Sequence, residues 1–186
     1  MINQIISSKL QAEQTLGYIL NKLRNHDQII KNLHELKGDG WRKMKYARGL
    51  FDRCVGFLSA NDVNKEYIYL TEPFHCKLIT SSQALTDECD RNKPELVSTE
   101  ELFQKSDIII IQGKANDFKA EITAELIEKM KKDSVLVIMS DDISFDKEAL
   151  KKALEDSRLH LLIRCDIDFA GEVKDLPNVM PANYKD

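Results

Sequence analysis

The 186 residues suffice for one domain, or one with an appendage, whose core needs no disulfide or metal staple. Lys and Arg number 27 against 31 Asp and Glu, leaving a formal net charge of −4. Without a clustered basic excess, the sequence gives no sign of a nucleic-acid or membrane-surface partner. Apolar runs such as Ile108 to Ile111 are far too short to span a bilayer.

Met1 to Ser8 holds isoleucines but no basic stretch, so no secretory leader is expected. Cys54, Cys76, Cys89 and Cys165 are widely spaced, without a CxxC pair or a Cys/His cluster at zinc spacing. Free packed thiols in a reducing compartment follow, which points to a cytoplasmic protein.

In chain order, Lys9 to Leu36 reads as a helix, with Leu16, Ile19, Leu20, Leu23, Ile30 and Leu33 at helical spacing. Gly38-Asp39-Gly40 ends it, and a loop with Trp41 follows. Residues 1–40 are expected to form an N-terminal helical segment, and 41–186 an α/β domain. Cys54 to Leu58 reads as a buried strand, Ser59 to Asn61 as a turn and Asp62 to Leu70 as a helix. Strands are expected at Lys77 to Thr80, Ile108 to Ile111, Val135 to Met139, Leu161 to Ile163 and Pro177 to Met180. Helices are expected at Thr123 to Lys131 and at Asp146 to Asp156, with Asp146 as N-cap. This alternation implies a Rossmann-type α/β fold: a parallel sheet with helices on both faces and ligand sites at the carboxyl ends of the strands.

Several ordered motifs then carry a family resemblance. They are Ala12-Glu13 with its leucine-rich helix, Pro73-Phe74, Val97 to Leu102 followed by Ser106-Asp107, Glu128 to Lys131, Ala149 to Leu154, and Leu176 to Val179. Together they resemble the nucleotide-binding half of the D-2-hydroxyacid dehydrogenases, nearest the glyoxylate/hydroxypyruvate reductase branch. The match runs from about residue 12 to residue 183. On this resemblance the substrate-binding half lies outside the 186 residues, and one wall of the family's substrate cleft with it.

The family's GxGxxG lets backbone approach a dinucleotide pyrophosphate. The matching positions are Ser59, Asn61 and Asn64, none of them glycine, although Asn61 can still supply a left-handed turn. The arginine that usually follows the second glycine is replaced by Asp62. That carboxylate suits a helix N-terminus, and it repels a phosphate by about 1 kcal/mol at 4 Å in water, more in a drier site. An anion standing in for the phosphate and a plain first-turn carboxylate are both open readings of Asp62; both weaken dinucleotide binding. Ile79 to Gln83 offers hydroxyls where the family has an acid for the ribose, and no arginine for a 2′-phosphate.

The family's catalytic arginine, glutamate and histidine are also changed. Asp141-Asp142 stands at the arginine position and Ala182 at the histidine position. Glu172 is the one candidate for the glutamate, after a one-residue shift, and a solvated loop carboxylate is its plainer description. His26, His34, His75 and His160 fall outside the strand-end turns. The Asp141, Asp142 and Asp146 group lacks calcium-loop spacing, so no metal site is expected. The resemblance therefore implies a pseudoenzyme that binds no cofactor tightly. The alternative is an active NAD- or NADP-dependent oxidoreductase with altered residues, and a third reading is a truncated product without selected activity. Family members dimerise through this domain, so a homodimer, or a heterodimer with a full-length relative, is expected through the first helix if its apolar face is left uncovered.

Overall fold

The computed structural model describes residues 2–24, 49–112, 121–140, 143–164 and 167–181. Helix α1 (Ile2–Leu23) opens the chain. It begins at Ile2 rather than Lys9, because no proline or glycine interrupts the first turns. Ser7, a potential cap for a later start, instead accepts a bond from Gln11 Nε2 at 3.1 Å on the exposed face. Ile30, Leu33 and the expected glycine stop at Gly38 to Gly40 lie outside the described residues.

The chain then alternates. Strand β1 (Cys54–Phe57) leads into α2 (Asp62–Thr71), a 3₁₀ turn (Glu72–Phe74) and β2 (Lys77–Thr80). Next come α3 (Gln83–Glu88), β3 (Glu95–Leu96), α4 (Thr99–Lys105) and β4 (Ile108–Gln112). Helix α5 (Ala124–Lys129), β5 (Ser134–Met139), α6 (Lys147–Glu155) and β6 (Leu159–Ile163) follow. Helix α7 (Ile167–Val173) and β7 (Val179–Pro181) complete the described chain. The seven strands form one sheet, ordered β3-β2-β1-β4-β5-β6-β7, and every pairing is parallel.

Strand alternation divides the core between the two faces of this sheet. Ile109, Ile111, Leu136, Ile138, Leu161 and Ile163 pack with Leu102, Phe103, Leu150, Leu154 and Phe169 from helices α4, α6 and α7. On the other face Val55, Phe57, Ile108, Ile110, Val135 and Val137 meet Ala12 and Ile19 of α1, Tyr67 and Ile68 of α2, and Leu85 of α3. Consecutive isoleucines of β4 thus serve opposite layers, which is why a strand covered on both sides is apolar throughout.

Helix α1 is a layer of this core. Ser8, Ala12, Thr15 and Ile19, spaced four, three and four apart, are its buried residues. Its apolar stripe is therefore spent on its own sheet, while Leu10 stays 58% exposed on the outer side. Lys22 Nζ reaches the Pro177 carbonyl at 3.1 Å and ties the end of α1 to the approach to β7.

Gly56 sets the distance between β1 and α4. A Cβ there would lie 2.3 Å from Ser106 Oγ and 3.0 Å from the Leu102 side chain. Only a residue without a side chain lets α4 seat this closely.

Candidate functional site

Strand order reverses between β1 and β4, so the crevice at their carboxyl ends is the place where such a sheet takes a ligand. Ser59, Asn61 and Asn64 are brought together there. Ser59 and Asn64 are buried and Asn61 is half-buried. Asn61 caps helix α2, its Oδ1 accepting from the Asn64 backbone N–H at 2.9 Å. Its backbone is extended (φ −165°, ψ 167°) rather than left-handed, as an N-cap requires. The same side chain uses Nδ2 to donate to the Gln112 carbonyl at 2.6 Å, which bridges β1 and β4. Asn64 Nδ2 donates to the Ser59 carbonyl at 2.7 Å and closes the turn from beneath.

Gln112, at the carboxyl end of β4, is the centre of this arrangement. Its Oε1 accepts from the Thr15 hydroxyl at 2.8 Å, and its Nε2 donates to the Gln11 carbonyl at 3.3 Å. Helix α1 therefore grips the very residue whose carbonyl holds Asn61. Neither Thr15 nor Gln112 figures among the residues expected from sequence. A lone glutamine ending an isoleucine run, and a threonine inside the buried stripe of a helix, were the available signals.

The end of β2 is closed in the same manner. Thr80 Oγ1 donates to the Phe57 carbonyl at 2.9 Å and accepts from the Ser82 N–H at 3.0 Å. Ser81 Oγ donates to the Leu58 carbonyl at 3.2 Å, and Ser82 Oγ caps α3 by accepting from the Leu85 N–H at 3.2 Å. The hydroxyls expected at a ribose position are engaged by neighbouring backbone.

Asp62 stands apart from that set, exposed in the first turn of α2. Lys65 Nζ lies 3.0 Å from its carboxylate and 2.8 Å from Glu88. The hydrogen bond that Lys65 donates to Glu88, then the one it donates to Asp62, raises the lysine pKa against a partial loss of solvation. An open groove of about 280 Å³, lined by Ser8, Asp62, Lys65, Glu66, Tyr69 and Glu88, runs beside this triplet. Its charge is mixed, with an acidic majority.

Asp141, Asp142 and Ala182 lie outside the described residues. Glu172 is on helix α7 rather than in a loop, because the segment from Ile167 to Val173 winds to bury Phe169 and Val173. Its exposed carboxylate takes a hydrogen bond from Lys151 Nζ of α6 at 3.1 Å. Asp146 is the N-cap of α6, its Oδ1 accepting from the Ala149 N–H at 2.9 Å. His75 terminates the 3₁₀ turn in a left-handed conformation and His160 lies within β6, so neither occupies a strand-end turn. His26, His34 and Cys165 are outside the described residues. Among the described residues no group of three or more His, Cys, Asp or Glu could hold a metal, and no helix is long and apolar enough to cross a membrane. Cys54, Cys76 and Cys89 are free thiols whose pKa burial raises, Cys76 to about 11.

Residues 16–166 match the family model described as D-isomer specific 2-hydroxyacid dehydrogenase, NAD binding domain. The chain belongs to that family. Its fold is shared with solved structures of low identity. A phosphoglycerate oxidoreductase from Rhizobium etli superposes with a TM-score of 0.76 at 18% identity, covering 98% of this chain and 57% of its own. An acyclic imino acid reductase solved with NADPH and D-Arg gives 0.76 at 21%, covering 94% and 57%. An NAD-dependent formate dehydrogenase from Staphylococcus aureus, solved with NAD, gives 0.73 at 19%, covering 94% and 54%. The chain thus spans a little over half the length of these relatives. No curated protein matches it.

Proposed function

We propose that this chain is a non-catalytic member of the D-2-hydroxyacid dehydrogenase family, nearest in motifs to the glyoxylate/hydroxypyruvate reductase branch, and that it acts through pairing or weak ligand binding. The observation that carries this reading is the Asn61–Gln112 bond across the switch point, at 2.6 Å. A pyrophosphate would need the α2 N-terminus and close approach to the turn after β1. Here the Asn64 N–H is already capped by Asn61, and Asn64 and Ser59 fill the turn with side chains. The residues of this turn do not suit a dinucleotide, and Asp62 adds a negative charge at the rim.

The substrate side supports the same reading. Asp141, Asp142 and Ala182 replace the family's arginine and histidine, and a negative pair repels a 2-hydroxy or 2-keto acid. Glu172 is paired with Lys151 of α6 on the surface. Pairing through α1, as a homodimer or with a full-length relative, would use its outer side around Leu10 and Gly17, because the inner stripe is covered. A cytoplasmic location rests on free, unclustered cysteines.

An active NAD(P)-dependent oxidoreductase with altered residues is the competing reading, favoured by the family match over residues 16–166. Purified protein assayed with glyoxylate or hydroxypyruvate and NADH or NADPH separates the two. The proposal expects no turnover above a protein-free blank, and measurable turnover would overturn it. Light scattering tests the pairing: a clean monomer near 21.4 kDa would remove it.

A further inference from the structure

We draw no further inference here: the strongest candidate, the open groove beside α2 lined by Ser8, Asp62, Lys65, Glu66, Tyr69 and Glu88, is an acidic cluster whose cation is the chain's own Lys65, and nothing among the described residues points to a ligand there.

Discussion

Replacing Asn61 separates its two duties, which makes it the most informative single substitution. Asn61→Ala removes the N-cap of α2, worth about 1 kcal/mol, and the donor to the Gln112 carbonyl, worth about another 1 kcal/mol net. The expected loss is about 2 kcal/mol, or about 4–8 °C in Tm for a chain of this size. Asn61→Asp keeps an acceptor for the Asn64 N–H and suits the helix dipole, but sets an anion against the Gln112 carbonyl. It should recover the cap and lose the bridge, falling about midway. Urea unfolding of the three proteins, with m values checked for constancy, measures both steps. An Asn61→Ala midpoint within about 0.5 kcal/mol of wild type would show that neither bond contributes. Asn61→Asp equal to Asn61→Ala would show that the cap is not the part that matters.

Gly56→Ala drives a Cβ into Ser106 Oγ and Leu102, so it should destabilise the fold by about 1–3 kcal/mol; a Tm unchanged by calorimetry would contradict the close seating of α4 on β1. Burial lifts the Cys76 thiol from an ordinary 9.0 to about 11, with Asp52 and Cys54 adding to the rise. The neutral thiol is thus favoured in the folded state, and its contribution is intact below pH 9 and lost as pH climbs through 11. Urea midpoints should fall more steeply over that interval in wild type than in Cys76→Ser, and equal slopes would refute the assignment.

Much of the fold was legible because burial and branching coincide in it. Helix α6 was readable from Asp146 and the spacing of Ala149, Leu150, Ala153 and Leu154, and β4 and β5 from β-branched runs covered on both faces. Helix α3 was not, since its six polar-rich residues bury only Leu85. Strand β3 is two exposed residues whose extended form comes from pairing with β2, a long-range cause that no local pattern carries. Helix α7, with Gly171 and Glu172 near its end, looks like a loop until Phe169 and Val173 are seen in the core. At the candidate site Ser59, Asn61 and Asn64 could be singled out from the sequence, through the resemblance alone. What filled the space could not, because Thr15 and Gln112 lie 97 residues apart and meet only once α1 crosses the sheet.

The central claim is that the chain's own side chains close the switch-point crevice to a dinucleotide. Calorimetric titration of the wild-type chain with NAD and with NADP tests it most directly. The account predicts no saturable heat up to roughly millimolar ligand, where binding is worth only about 4 kcal/mol. A saturable isotherm with a micromolar Kd for either cofactor would contradict it, and would mean that Ser59, Asn61, Asp62 and Asn64 yield to a pyrophosphate after all.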